Sequence, residues 1–401
     1  MRSKSVPDIR FAGFDGEWEE RKLKEVSTYS NGGSYENDVL KEGKYELVTL
    51  KSVDMNGNLV SSGKYIDLEV PTLKKGTLVM ILSEQSPGLL GMTAQIPESN
   101  KYVLNQRVAE VLPNDDIYEY FLSMAININQ QYFSKRGAGT KVQNISKPNV
   151  ENYEFFVPCF KEQTQVGNFF KQLDEAIALQ QQELDTLKQT KQGFLQKMFP
   201  KEGESVPEIR FAGFDEEWEE RKFIDFISKS GKKNTSGGDY PAYSVSNKLG
   251  LISQTEQFEG SRLDSLDKTS YKIVNPNEFA YNPARINVGS IAFNNLNETV
   301  IVSSLYVILR MSRKLDNEFI LQYINSQTFI DEVRRNTEGS VREYLFFENF
   351  KNIKFPYVEN KEEQIQIGQF FKQLDDTIAL QQKELDALKE MKKAFLQKMF
   401  V

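Results

Sequence analysis

Between residues 162 and 199 the apolar positions return every three and then every four residues. Phe170, Ile177, Leu184, Lys191 and Met198 form one seven-residue series, and Leu173, Gln180, Leu187 and Phe194 form the other. That spacing predicts a helix with a single apolar stripe, interrupted by Gln180 and Lys191. Pro200 ends it, because the residue before a proline avoids the helical region. A rise of about 1.5 Å per residue makes the helix ~55 Å long. The pattern returns at Phe371, Ile378, Leu385, Lys392 and Met399, with Leu374, Gln381, Leu388 and Phe395. Asn360 is a candidate N-cap there, and Glu362 and Glu363 suit the first turn. A stripe this long needs a partner. The other copy is the obvious one, giving an antiparallel intramolecular coiled coil whose matched polar positions set its register. The alternative is that each helix packs only on the module before it.

The helix belongs to a longer repeat. VPDIRFAGFDGEWEERK (Val6 to Lys22) returns as VPEIRFAGFDEEWEERK (Val206 to Lys222), with 15 of 17 residues matching; Gln165 to Phe199 returns as Gln366 to Phe400, with 25 of 35 matching. The stretches between show no comparable similarity to each other. A repeat of this kind describes architecture: one scaffold, used twice, around two different modules. The expected divisions are arms at 1–23 and 200–223, globular modules at 24–160 and 224–360, and long helices at 161–199 and 361–401. This order is cyclic. A pseudo-two-fold axis closing it would leave the helices antiparallel with a module at each end.

The modules read as mixed α/β. In the first, Lys44 to Leu50 and Thr77 to Leu82 have strand character, Tyr118 to Gln131 helical character, and residues 151–158 alternate before stopping at proline. In the second, Val300 to Arg310 is a β-branched strand, Glu318 to Arg335 a helix, and Glu348 to Pro356 the counterpart of the strand before the first long helix.

Composition narrows the function. A chain of 401 residues, 39% hydrophobic and 27% charged, suits two to three soluble domains. No apolar run approaches the length of a membrane span, and no secretory h-region follows the first residues, so a cytoplasmic protein without membrane contact is expected. Cys159 is the single cysteine and there is no histidine, which removes Ser–His and Cys–His nucleophile pairs and the usual zinc ligand sets. A carboxylate magnesium site stays open. The net charge of −7 is unevenly spread. Residues 24–150 carry 13 Lys/Arg against 14 Asp/Glu, residues 224–355 carry 16 against 15, and the remainder 21 against 28. The acid therefore lies in the repeated parts, and either module is free to present a basic face.

Two loops stand out for nucleic-acid chemistry. Lys135, Arg136, Gly137, Gly139, Thr140 and Lys141 follow the first module's helix; Arg334, Arg335, Ser340 and Arg342 follow the second's. Glycine lets backbone N–H groups approach a phosphate, Lys and Arg supply charge, and Arg pairs bidentately with guanine. The bland alternative is a solvated turn with basic residues at a helix C-terminus. Weaker candidates are Lys64, Tyr65, Lys74 and Lys75 in the first module and Lys232, Lys233, Asn247, Lys248 and Arg285 in the second. No glycine-rich loop ending in Lys-Ser/Thr is present, so no motor is expected. Asn282-Pro283-Ala284-Arg285 only faintly echoes an amino-methyltransferase motif. Trp18 and Trp218, with Phe11, Phe14, Phe211 and Phe214, suit packing anchors better than base-stacking groups.

The layout closely resembles the specificity subunit of type I restriction–modification systems. The resemblance rests on the doubled arm and on helices sharing Gln165, Gly167, Phe169, Phe170, Leu173 and Asp174 with their copies and ending Phe-Leu-Gln-Lys-Met-Phe. Lys75 to Leu78 and Ser303 to Tyr306 also look like recurrent pieces of such recognition domains. The resemblance implies two target-recognition domains, each reading half of a split double-stranded DNA site, with the helices setting the spacer. It implies two methyltransferase subunits, which bind S-adenosylmethionine themselves, and motor-nuclease subunits. The chain itself would catalyse nothing and hold no cofactor or metal. A structural coiled-coil adaptor and a carboxylate-dependent nuclease are the competing classes; the first predicts no sequence preference on DNA, the second magnesium-dependent cutting.

Overall fold

The computed structural model describes residues 5–84, 88–247, 250–254, 268–337 and 344–401. Two units emerge: residues 1–181 with 384–401, and residues 182–383. Each therefore holds one arm, one module and a segment of both long helices.

In unit 1 the arm strand β1 (Glu19–Lys22) leads into a short helix, α1 (Leu23–Val26). Four strands then make one antiparallel sheet in the order β2 (Ser27–Asn31), β9 (Val108–Pro113), β5 (Leu78–Ile81), β7 (Thr93–Gln95). A second sheet runs β4 (Tyr65–Ile66), β3 (Tyr45–Val48), β8 (Tyr102–Leu104), with β3 and β8 parallel. β6 (Ser83–Glu84) pairs with β10 (Gln143–Asn144). The helix foreseen over Tyr118 to Gln131 is two, α2 (Glu119–Asn127) and α3 (Gln130–Ser134), because Asn129 leaves helical geometry at φ −108°, ψ 47°. After α4 (Lys147–Glu151), β11 (Glu154–Val157) pairs antiparallel with β1. The first long helix, α5 (Phe160–Lys197), follows.

Unit 2 repeats this plan. β12 (Glu219–Lys222) pairs with β21 (Lys354–Tyr357), as β1 does with β11. Its first sheet runs β13 (Ile227–Ser230), β20 (Val307–Met311), β17 (Glu278–Tyr281), β18 (Ile291–Phe293), and is antiparallel throughout. Its second runs β15 (Gly250–Ser253), β14 (Ala242–Ser246), β19 (Val300–Val302), β16 (Lys272–Val274), with β14 and β19 parallel. In these two sheets the order and direction match unit 1 strand for strand, with β16 added; the β6–β10 pair has no counterpart among the described residues of unit 2. The single strand foreseen over Val300 to Arg310 is thus β19 and β20, divided by a turn in which Tyr306 N–H donates to the Ser303 carbonyl (3.1 Å). The helix foreseen over Glu318 to Arg335 is likewise α6 (Asn317–Ile324) and α7 (Gln327–Asn336). Ser326 divides them, its hydroxyl accepting from Phe329 N–H as a new N-cap. α8 (Phe347–Phe350) precedes β21, and α9 (Lys361–Met399) is the second long helix. Asn360 Oδ1 caps α9, accepting from the amides of Glu362 (3.1 Å) and Glu363 (3.4 Å). No helix among the described residues is long and apolar enough to cross a membrane.

Within each unit the helix segments run antiparallel. In unit 1, Phe169 meets Phe395 edge-on (centroids 5.2 Å apart), Lys392 Nζ lies 2.5 Å from Asp174, and Gln180 Nε2 donates to Glu384 (3.4 Å). In unit 2, Phe194 meets Phe370 (5.2 Å), Lys191 Nζ lies 2.6 Å from Asp375, and Lys188 donates to Gln382 (3.4 Å). Numbers rising along α5 match numbers falling along α9 in both. The heptad stripe is the buried one: Phe170, Leu173, Leu184, Phe371 and Leu385 are buried, while Ile177, Leu187, Phe194, Leu374, Ile378, Leu388 and Phe395 are half-buried. Its lysines are answered by carboxylates rather than left bare.

Tryptophan closes each core. Trp18 packs edge-on to Phe121 and Phe400; Trp218 does so to Phe199 and sits against Phe319. Buried ion pairs fasten the arms: Arg10 to Glu162 (2.6 and 2.7 Å), Arg210 to Glu363 (2.7 and 2.8 Å). Gln163 and Gln364 each take one amide and give two bonds to carbonyls, stitching the module to the start of its long helix.

Candidate functional site

One end of the first sheet gathers most of the candidate residues in both units. In unit 1, Ile81 lies opposite Val108, so β5 ends where β9 begins. Leu82 N–H donates to the Arg107 carbonyl (3.0 Å), and Ile145 N–H to the Leu82 carbonyl (3.0 Å). Ser83 and Asn144 join through their side chains, and Ala138 and Asn144 exchange both backbone bonds at 2.9 Å. The loop from Ser134 to Asn144 is therefore a tight hairpin against this end. Its glycines serve that closure first. A Cβ on Gly137 would come 2.7 Å from Leu90 Cδ2, and Gly139, at φ +133°, would put one 2.0 Å from the Val142 carbonyl oxygen. Lys135, Thr140 and Lys141 point outward, and neither lysine makes an ion pair among the described residues. Arg136 lies over the Tyr132 ring (3.7 Å) and donates to the Tyr132 carbonyl (3.2 Å), so its guanidinium is oriented in advance.

Beside the hairpin stands Arg107, exposed and at φ +67°. A non-glycine residue there costs ~1–2 kcal/mol, a strain that collects at functional sites. Asn105, two residues earlier, donates to Glu36 (2.9 Å), which also meets Lys64 (3.2 Å). The Asn105 bond, then Lys64, hold the Glu36 carboxyl below its usual range. Lys64 thus reaches this end with its charge already matched, and Tyr65 is half-buried opposite Glu46 in β4. Lys74 and Lys75 precede the start of β5, at the other end of the sheet.

Unit 2 builds the same end. Tyr281 lies opposite Val307, and Leu345 N–H donates to the Pro283 carbonyl (3.1 Å), the counterpart of Ile145 and Leu82. Asn282 to Arg285 form a turn closed by Asn282, with Arg285 exposed. Asn247, exposed after β14, borders Gly289 in the next loop. Lys232 and Lys233 follow β13, Lys233 opposite Lys272. The arginines Arg334 and Arg335 belong elsewhere than foreseen. They lie in the last turn of α7, not in a loop; Arg334 pairs with Asp331 (3.1 Å), and Arg335 with Glu332 (2.6 Å) and Glu202 (3.5 Å). α7 continues to Asn336, and helical spacing puts carboxylates three residues back within reach. Lys248, Ser340 and Arg342 lie outside the described residues.

Arg107, Lys229 and Lys272 are additions that sequence alone did not single out. The left-handed backbone of Arg107 has no signal in the sequence, and the lysines are separated by 43 residues, as 272 − 229 shows.

Comparisons with known proteins converge. The family model for the type I restriction modification DNA specificity domain matches twice, over residues 15–189 and 215–390. The MjaVIII specificity subunit of a type I restriction enzyme from Methanocaldococcus jannaschii is 22% identical over 297 residues, 70% of this chain and 68% of that one. The solved S subunit of a type I restriction–modification system from M. genitalium superposes with a TM-score of 0.67 over 99% of both chains at 16% identity. A chain from a solved type I restriction–modification assembly gives 0.51 over 95% of this chain and 97% of that one, also at 16%. At that identity the two structural likenesses concern the fold.

Proposed function

The chain belongs to the type I restriction–modification DNA specificity family as a specificity subunit, and we propose that it reads a two-part double-stranded DNA target, one part with each unit, without catalysing a reaction itself. One observation carries this reading. The two modules share a topology yet set different side chains at the same end of the same sheet: Lys135, Arg136, Lys141 and Arg107 in unit 1, Lys232, Lys233, Asn247 and Arg285 in unit 2. Two unlike surfaces on one frame suit two unlike half-sites, with Lys and Arg on phosphates and Arg and Asn on base edges.

The same reading gives the repeated parts a second task, carrying two methyltransferase subunits, with motor-nuclease subunits joining a restricting complex. S-adenosylmethionine would sit on the methyltransferases. Support comes from surface that occurs twice: the repeated arm segments Val6 to Lys22 and Val206 to Lys222, with 5 Asp/Glu against 3 Lys/Arg and 6 against 3, and Leu179 and Leu380, equivalent helix residues exposed to 59% and 57%. The long helices, 38 and 39 residues, would set the spacer as an intramolecular coiled coil. At about 1.5 Å per residue each is ~57 Å, about one and a half turns of DNA.

The test is to express the chain with the methyltransferase it assembles with and map methylated adenines across the host genome. A motif of two fixed parts around an unread gap is expected; one uninterrupted motif, or no modification, refutes the reading. Adding one heptad to each helix, at Gln182 and Lys383, should widen the gap by about three base pairs, from ~10 Å of added rise. An unchanged gap would separate the helices from the measurement of distance.

A further inference from the structure

Three lysines of unit 2 converge where no carboxylate among the described residues answers them. Lys229 stands on β13. The chain leaving that strand runs along β16: Ile273 N–H donates to the Lys232 carbonyl (2.9 Å), Asn234 N–H to the Tyr271 carbonyl (2.9 Å), and Lys233 faces Lys272 across the pair. Directly opposed residues hold their Cβ atoms about 5 Å apart on one face, where like charges repel. Lys272 is half-buried, and among the described residues its ammonium donates only to a backbone oxygen, the Tyr306 carbonyl (2.6 Å). Burial, then Lys229 and Lys233, push its pKa down. None of the three forms an ion pair among the described residues, and Glu348, which feels Lys229, is taken by Lys351. Asn234 fixes the following turn with its buried side chain, accepting from Gly238 N–H (3.0 Å) and donating to the Gly238 carbonyl (2.8 Å).

The position is as telling as the charge. Lys272 pairs with Val302, the last residue of β19, so the cluster borders the turn between β19 and β20. That turn lies at the sheet end that also carries Arg285 and Asn247. A concentrated positive charge without a counter-charge among the described residues, beside groups suited to base edges, fits an oxyanion held by ammonium groups.

We infer that Lys229, Lys233 and Lys272 hold one backbone phosphate of the duplex bound by unit 2, fixing the strand's position without selecting its sequence. The inference rests on the DNA-reading function proposed above. A phosphate contact is blind to sequence, so removing it weakens every duplex alike and lowers the dependence of affinity on salt.

The test uses the full chain and a mixed-sequence duplex of about 40 base pairs, titrated between roughly 50 and 200 mM KCl. Lys229 and Lys233 are exposed, so K229Q/K233Q leaves the core untouched. The variant should bind about three- to tenfold more weakly at the lowest salt, with a log–log salt slope shallower by about 0.9, the value for one neutralised phosphate. K74Q/K75Q removes the same charge at the far end of the other unit's sheet and should leave the slope unchanged. If wild type binds and K229Q/K233Q keeps its affinity and slope, the phosphate site is wrong while DNA reading stands. If K74Q/K75Q flattens the slope equally, the effect is diffuse charge and the site is again wrong. If wild type fails to bind any duplex at the lowest salt, DNA reading and the phosphate site fall together.

Discussion

Leaving β2, unit 1 continues with Gly32 and Gly33; leaving β13, unit 2 continues with Gly231, Lys232 and Lys233. In unit 1 the glycines are forced. A Cβ on Gly32 would lie 2.0 Å from the Asn105 carbonyl oxygen, and Gly33 N–H donates to the Leu104 carbonyl (3.1 Å), so the chain passes hard against the turn between β8 and β9. In unit 2 the corresponding segment pairs with β16 instead, and its lysine side chains are free to project. Behind these ends the units agree in strand order, in Trp18 and Trp218, in Gln163 and Gln364, and in Arg10–Glu162 and Arg210–Glu363. The frame is pinned by buried polar partners that cannot be exchanged singly. The tips face water, where substitutions cost little, and two units can diverge there while keeping one fold.

The largest expected effects test whether the frame is equivalent in both units. Arg10→Ala and Arg210→Ala each leave a buried glutamate, Glu162 or Glu363, without its partner. Each should lower stability by about 3 kcal/mol in denaturant titration. A loss well under 1 kcal/mol in one of them would show that the arms are fastened differently.

A middle-sized effect separates the sheets. Ser30 donates to Glu110 (2.6 Å) in unit 1, whereas buried Glu278 in unit 2 accepts from Ser230, Asn275 and Arg310. Burial opposes ionisation of Glu278, but those hydrogen bonds outweigh it and hold its carboxyl below the usual range. A lowered folded value means that the stabilisation is present above the unfolded value, about 4.3, and is lost as pH falls through the folded one. Glu278→Gln should therefore cost about 1–2 kcal/mol at pH 7 and progressively less below about pH 4. Glu110→Gln should cost less at pH 7. A Glu278→Gln loss that stays constant down to pH 3 would contradict the assignment.

The smallest effects compare the basic loops. Lys135 and Lys141 are unpaired among the described residues, while Arg334 and Arg335 already have carboxylates. K135Q/K141Q should reduce duplex affinity several-fold and flatten the salt slope by up to about 2, whereas R334Q/R335Q should change the slope by less than about 1. The reverse order would return the α7 arginines to the interface.

Periodicity made the long helices legible. Their stripe, the end at Pro200 and the cap at Asn360 are local, and a helix expresses its pattern within a few residues. The split of α6 from α7 was also written locally, in Ser326, but apolar periodicity on both sides masked it. The candidate surface was legible only in part. Basic loops can be found by composition, yet whether an arginine is free depends on its neighbours, and Asp331 and Glu332 had taken theirs. Arg107, Lys229 and Lys272 were out of reach, since backbone sign and strand pairing decide their importance.

By itself the sequence determined the repeat, its cyclic order, the helix stripe and the family, because each is carried by identity or by spacing along the chain. Tertiary structure decided that two dissimilar modules share a topology, that Arg10 finds Glu162 across 152 residues, and which cations remain unmatched among the described residues. Those outcomes are set by sheet pairing and by burial. Both join residues distant in the chain, and many different sequences satisfy the same ladder of backbone hydrogen bonds.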